Sequence, residues 1–547
     1  MIKSIIKINL LLLIFGCKLV YSQTFTEILG RPTNTTITIS ILFDQKEDVY
    51  WEYGTTSGTY NLSTTPMVAP VDTPLEADFT NLLPDTKYYY RTRYRAFGSS
   101  TSYQAGIEHT FHTQRAQGST FTFDVEADEH LYDYGDANLY NITLKNEALD
   151  NPDFLITLGD IFGDDHYPWT ITSNTCDSLH RLYRAHLGTI CHSIPFYICL
   201  GNHEGEKEYY LDSMPPNNLA VWSTLWRKFY YPNPYPNNFY SGDTVHEGYG
   251  IGQPENYYAW TWGNALFVVL DVYRYDCYYA DTTAKPGDWE WTLGYTEYSW
   301  LKNTLENSTA QFKFVFAHHV SGESRGGIVP AKLCEWGGYN KNGIYAFTSK
   351  RPGWAKPIHQ LFVDNGVNIF FQGHDHLFAH EVLDSVTYQE VPMAADSTYI
   401  KGMVANGAAY MTDTIDASGH VRVTVSPSCV QVDYVRAFLP ADTVSGVHHN
   451  REVAFSYTLG NCATAVEKRT KTDEYVKVFP NPAKDNLTVA FSKDTKTFQI
   501  SLINALGQTL LQSQSNIVDV SHIQNGIYFL NIRTENYEEN RKVVISR

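Results

Sequence analysis

Along residues 24–116 apolar and polar side chains alternate with a period of two, as in Thr35-Thr36-Ile37-Thr38-Ile39-Ser40-Ile41 and Val49-Tyr50-Trp51-Glu52-Tyr53. Turn residues break these runs at short intervals, which predicts a small β-sandwich. From about 118 to 455 the pattern changes. Short apolar runs there alternate with stretches of helical period at 137–150, 176–188, 295–307 and 355–365. In the third of these, Tyr298, Leu301 and Leu305 fall on one helical face. Strand–helix alternation predicts an α/β domain. The stretch 229–263, rich in Tyr, Pro, Asn and Gly, is expected to be a long ordered loop. Strand-like patterning returns in 470–547 and predicts another β-sandwich module.

The N-terminus departs from all of this. Lys3 and Lys7 precede the apolar run Leu10–Phe15, and Val20-Tyr21-Ser22 offers small residues for cleavage before Gln23. Residues 1–22 therefore read as a signal peptide, because the run is too short to span a bilayer. Lipid attachment at Cys17 is a second reading. No later segment is apolar enough to cross a membrane, so export implies a secreted or cell-surface protein. Eight cysteines accompany this, of which seven remain after cleavage. Export permits disulfides, and Cys176, Cys191, Cys199, Cys277 and Cys334 lie within one domain; the odd count leaves at least one thiol over, and the sequence does not give the pairing. The formal charge of −18 argues against a nucleic-acid scaffold role, since an acidic chain repels polyanions.

Five apolar runs end in metal-ligand residues. Thr120–Ala127 leads into Asp128-Glu129-His130, Phe154–Leu158 into Gly159-Asp160, and Ile194–Leu200 into Gly201-Asn202-His203-Glu204. Phe312–Ala317 leads into His318-His319, and Val367–Gln372 into Gly373-His374-Asp375-His376. In α/β sheets functional groups collect beyond the carboxyl ends of strands, so these ends would converge. The glycines before Asp160, Asn202 and His374 let the backbone turn sharply and approach an ion. Imidazole, carboxylate and amide together suit zinc, iron or manganese. Two divalent ions bring four positive charges; two carboxylates and a hydroxide remove three, leaving the site attractive to a phosphoryl group. Ions roughly 3.5–4 Å apart hold a hydroxide nucleophile against the substrate. His203 is then the candidate general acid.

The order of these motifs, over roughly 118–410, resembles the calcineurin-like metallophosphoesterases, the superfamily that contains the purple acid phosphatases. The resemblance implies a four-layer α/β/β/α sandwich and two divalent or trivalent metal ions. Carried over by position, Asp128, His130 and His376 bind the first ion, Asn202, His318 and His374 the second, and Asp160 bridges them. One position departs from the family pattern: Gly163 stands where purple acid phosphatases place an iron-binding tyrosine, which implies a colourless site. Leu83-Pro84-Asp85-Thr86-Lys87-Tyr88-Tyr89-Tyr90-Arg91 resembles a fibronectin type III domain, and similar domains precede the catalytic domain of purple acid phosphatases. Val478-Phe479-Pro480-Asn481-Pro482-Ala483, Asn504-Ala505-Leu506-Gly507-Gln508 and Asn525-Gly526-Ile527-Tyr528 resemble the C-terminal sorting domain of type IX secretion. That implies the secretion machinery as a partner.

Substrate contacts are expected from Arg325, in bidentate contact with a phosphate, and from His319. Tyr273, Arg274 and Tyr275 follow an apolar strand and are better explained by packing. The reading is a hydrolase acting on a phosphorylated small molecule. A phosphodiesterase or nucleotide hydrolase using the same site is the alternative, and a surface binding protein without activity is the rival of another class.

Overall fold

The computed structural model describes residues 25–163, 170–207, 215–275, 289–320, 324–400, 409–412, 414–462, 476–491, 498–504, 509–534 and 537–547. The expected signal segment with Cys17, together with Asp164, Asp165, His166 and Cys277, lies outside them. The chain divides into two compact units, Met1–Cys462 and Ala463–Arg547.

Alternation decides the layering of the first unit. Strand Phe121–Glu126 sends Phe123 and Val125 to one face, and Asp124 and Glu126 to the other. The apolar face looks onto Phe267, Phe314, Phe316 and Phe371 from a second sheet, and these rings fill the space between the sheets. Burying each such ring contributes about 1.5–3 kcal/mol. The first sheet has six strands, in the order Phe196–Ile198, Leu155–Thr157, Phe121–Glu126, Gly419–Val425, Cys429–Arg436 and Val453–Gly460. Its first three are mutually parallel. The second has seven strands, with Ala265–Val269, Phe312–Phe316, Ile369–Gln372 and Val386–Glu390 parallel in its middle.

Helices cover both outer faces. Ala137–Asp150 and Ser173–Leu187 bring Tyr140, Leu144, Tyr183 and Leu187 onto the first sheet. Gly294–Glu306 and Ile358–Asp364 bring Tyr298, Leu301, Leu305, Leu361 and Phe362 onto the second. This is the expected four-layer α/β/β/α arrangement, and Tyr298, Leu301 and Leu305 do form the buried face of their helix. Two elements differ from expectation. The stretch 229–263 is not all loop: Tyr258–Trp262 is a strand of the second sheet, with Trp260 and Trp262 in the inter-sheet core. Tertiary burial of those rings overrides the turn-rich composition around them. A helix at Leu219–Tyr230, capped by the Asn218 side chain, is the second, and it was not expected from the sequence.

Residues 25–112 form two further sheets enclosing Ile39, Trp51, Phe79 and Tyr90. This sandwich is hydrogen-bonded directly to the α/β/β/α layers. The buried Arg184 of helix Ser173–Leu187 donates to Thr26 Oγ1 (3.0 Å) and to the Ser40 carbonyl (2.9 Å), and Tyr90 Oη donates to the His192 carbonyl (2.6 Å). A disulfide joins Cys429 to Cys462 at the end of the last strand of this unit, while Cys176, Cys191 and Cys199 are buried thiols. The second unit is a β-sandwich of a three-stranded and a four-stranded sheet around Leu487, Val489, Leu530 and Ile532. Among the described residues no helix is long and apolar enough to cross a membrane.

Candidate metal centre

All five motifs end at one place, where the parallel strands of both sheets finish. Asp128, His130, Asp160, Asn202, His318, His374 and His376 are all buried there. Two clusters stand out among them: Asp128, His130 and His376 form one, and Asp160, His318 and His374 the other. In the first, His130 Nε2 lies 3.2 Å from His376 Nε2, and Asp128 Oδ1 lies 3.5 Å from His376 Nε2. In the second, His318 Nε2 lies 3.0 Å from Asp160 Oδ2, 3.1 Å from Asn202 Oδ1 and 3.2 Å from His374 Nδ1. Asp160 reaches both, because its Oδ2 is also 3.9 Å from His130 Nε2.

Backbone geometry explains how strand-end residues all face inward. Asp128, His130, Asp160, His374 and His376 have φ of 56°, 43°, 61°, 76° and 59°. Left-handed backbone at a non-glycine residue costs on the order of 1–3 kcal/mol and persists only where surroundings enforce it. The neighbouring glycines serve close approach. A Cβ at Gly201 would sit 2.3 Å from Asp160 Oδ1, and one at Gly373 would sit 2.6 Å from Asp128 Oδ2. Gly163 is equally constrained: a Cβ there would lie 1.7 Å from the His203 carbonyl oxygen, so a tyrosine cannot be placed without moving that loop.

The donor set fits cations. Asp128 Oδ1 is a buried carboxylate oxygen without a hydrogen-bond partner, and Asp160 Oδ2, equally buried, is met by imidazoles, a costly arrangement unless positive charge faces them. His318 Nδ1 donates to the Leu158 carbonyl (2.9 Å), which aims Nε2 at the cluster. Burial holds His130 and His374 well below the ordinary histidine range and His376 at about 3, so these rings keep ligand lone pairs. Burial also opposes charge on Asp160 and His318. Their mutual attraction prevails, leaving Asp160 ionised and His318 lifted to about 9. Asp128 is raised to about 7 by burial, against the pull of His318.

His203 has the most exposed imidazole of the group, at 12 %, with Nε2 3.9 Å from Asp160 Oδ2. Its amide donates to Asp160 Oδ1 (2.7 Å) and ties the two motifs together. His319 is wholly buried behind His374, its Nδ1 donating to the Val320 carbonyl, so it reaches a ligand only through its neighbours. Arg325 is part-exposed and donates from Nη1 to the His374 carbonyl (2.5 Å). Arg274 is buried in ion pairs with Glu247 and Glu206, and Tyr273 is buried, as packing residues would be.

Two contributors were not singled out from sequence. Glu204 accepts the amides of Asp160 (2.9 Å), Ile161 (2.7 Å), Phe162 (3.0 Å) and Gly201 (2.5 Å), locking the Gly-Asp turn to the Gly-Asn-His-Glu turn. Tyr132 Oη lies 2.6 Å from His130 Nδ1 and orients that ring. Both stand two residues beyond a ligand, the one signal available; which amides a carboxylate captures is a matter of folding.

Comparison with known proteins agrees with this architecture. Residues 121–378 match the family model described as calcineurin-like phosphoesterase, and residues 477–546 match that of the secretion system C-terminal sorting domain. No curated protein matches the chain. Among solved structures, one of PhoD is similar over 80 % of this chain and 90 % of its own, with a TM-score of 0.56 at 16 % identity. Purple acid phosphatase PPD1 from yellow lupin (Lupinus luteus) seeds is similar over 82 % of this chain and 78 % of its own, with a TM-score of 0.52 at 14 % identity. At such identities the likeness is one of fold. Residues 121–378, with their ligand residues gathered at the strand ends, are thus a calcineurin-like phosphoesterase domain, followed by a secretion-system C-terminal sorting domain at 477–546.

Proposed function

We propose that the chain is an exported hydrolase of phosphate esters that works with two metal ions. Asp128, His130 and His376 would hold one, Asn202, His318 and His374 the other, with Asp160 shared. Zinc, iron or manganese bound there would supply Lewis acidity toward a phosphoryl oxygen and acidify water. The observation that carries this reading is the pair of buried carboxylate oxygens, Asp128 Oδ1 and Asp160 Oδ2, facing four histidine rings. A binding protein that had lost its activity would not keep such a costly pair. Glu204 would hold the shared aspartate's turn, Tyr132 would fix His130, and His203 would deliver a proton to the leaving alkoxide.

The lack of room for a side chain at Gly163 supports a centre without tyrosinate. Export is supported by the match at 477–546 and by the Cys429–Cys462 disulfide, which forms in oxidising compartments. The N-terminal sandwich reads as fibronectin type III-like, because Tyr88 Oη accepts the Leu83 amide (2.8 Å) as a tyrosine corner does. The test is reconstitution of purified protein with zinc, manganese or iron, followed by a screen of phosphate mono- and diesters. Two ions per chain and hydrolysis are expected, with Asn202→Ala losing one ion and the activity. A protein that binds two ions and cleaves neither ester class would remove the proposal.

A further inference from the structure

Asp375, between the two histidines of Gly-His-Asp-His, is wholly buried yet belongs to neither ligand cluster. Its carboxylate is nonetheless fully engaged. Oδ1 accepts from Arg325 Nη1 (3.1 Å), and Oδ2 accepts from the Gly326 amide (2.8 Å) and from Tyr410 Oη (2.7 Å). Its own amide donates to Glu390 Oε1 (3.1 Å), whose other oxygen takes Gln372 Nε2 (2.7 Å). Two residues further along, the Ile328 amide donates to Glu381 Oε2 (2.9 Å). The segment around Arg325 is therefore pinned to the second sheet at successive points.

One edge of the Arg325 guanidinium is spent on this anchorage, since Nη1 serves both Asp375 and the His374 carbonyl. The other edge is not: Nε and Nη2 have no hydrogen-bond partner among the described residues, and a third of the side chain is open to solvent. Nε–H and Nη2–H form the planar fork that matches two oxygens of one phosphoryl group. A fork held on the backbone of a ligand residue is a positioned receptor for such a group.

We propose that Arg325, oriented by Asp375, is a specificity residue that selects phosphate monoester dianions over diesters. The proposal rests on the phosphoesterase reading. Its logic is a count of oxygens. A monoester has three non-bridging oxygens, so one given to the ligand cluster leaves two for the fork. A diester has two, and leaves only one. The fork also carries its charge toward a substrate of charge −2 in one case and −1 in the other.

The experiment compares wild type, Arg325→Ala and Arg325→Lys in the metal-loaded full chain, on a matched aryl phosphate and diaryl phosphate. Orthophosphate affinity is measured by calorimetry, and metal content by elemental analysis. Arg325→Ala should keep two ions, lose about 10²-fold in kcat/KM on the monoester and about tenfold or less on the diester, from two charge-assisted hydrogen bonds against one. It should weaken orthophosphate binding at least about tenfold by the same reasoning. Arg325→Lys keeps the charge without the fork, and should leave most of the monoester deficit in place. Equal losses on the two esters, unchanged orthophosphate affinity, or loss of an ion from Arg325→Ala would each overturn the proposal, the last by making Arg325 a support of His374 alone. Failure of wild type to cleave either ester would instead strike the phosphoesterase reading, and calorimetry would still show whether the fork binds phosphate.

Discussion

Two groups of buried acids lie near the ends of the first sheet's parallel strands, and their neighbours, with burial opposing charge in both, set them apart. At the strand end, Asp160 sits among His130, His203 and His318 and stays ionised, far below the usual carboxylate range despite the burial that opposes it. On the outward face, Asp124 and Glu126 meet Glu147 of helix Ala137–Asp150 and Glu129, all fully buried. There burial dominates: Glu126 is pushed to about 8, and Asp124, Glu129 and Glu147 rise well above the ordinary range. Tyr140 Oη donates to Glu126 Oε1 (3.1 Å), while both carboxyl oxygens of Glu147 are buried without a hydrogen-bond partner. Residue type and burial are the same in both groups. Several imidazoles facing one carboxylate make the first a candidate cation site; in the second, where Glu126, Glu129 and Glu147 face one another, burial prevails and favours the protonated form.

Removing the ionised member should have the largest effect. Asp160→Asn keeps the shape but removes the shared charge, and both ions should be lost with a fall in kcat of about 10³-fold or more, from the several kcal/mol that bound cations contribute. Elemental analysis and steady-state rates check this; retention of both ions would dissolve the distinction between the two acid groups. His203→Ala comes next. It should keep both ions and slow turnover about 10²–10⁴-fold, most for poor leaving groups. A Brønsted series over leaving groups decides it, and an equal loss across the series would count against proton delivery.

The smallest effect is expected at Glu147. In the folded chain it keeps its proton above the pH near ~4.3 where an unfolded glutamate releases it. The folded state then binds more protons, so stability is full at low pH and declines as pH rises, by up to about 1.4 kcal/mol per pH unit for one group. Glu147→Gln, neutral at every pH, should flatten this decline in urea unfolding midpoints between about pH 5 and pH 8. A slope unchanged by the substitution would show Glu147 to be ionised when folded.

Much of the site was legible along the chain. Apolar runs too short for helices, each closing on Asp, Asn or His, mark strand ends where ligands converge, and all seven expected ligands meet there. Helix faces such as Tyr298, Leu301 and Leu305 were legible for the same reason, since periodicity is a local property. Strand Tyr258–Trp262 was not, because its indoles are recruited by a sheet assembled from distant segments.

Local patterning thus sufficed for the α/β class, the ligand types and their place at strand ends, because period and residue chemistry are written within a few neighbouring positions. Folding alone decided which acids ionise, that Glu204 gathers four amides, that His319 is buried, and that Asp375 turns one edge of Arg325 outward. Those properties depend on desolvation and on partners far away in the chain, and neither exists until the sheets have closed on each other.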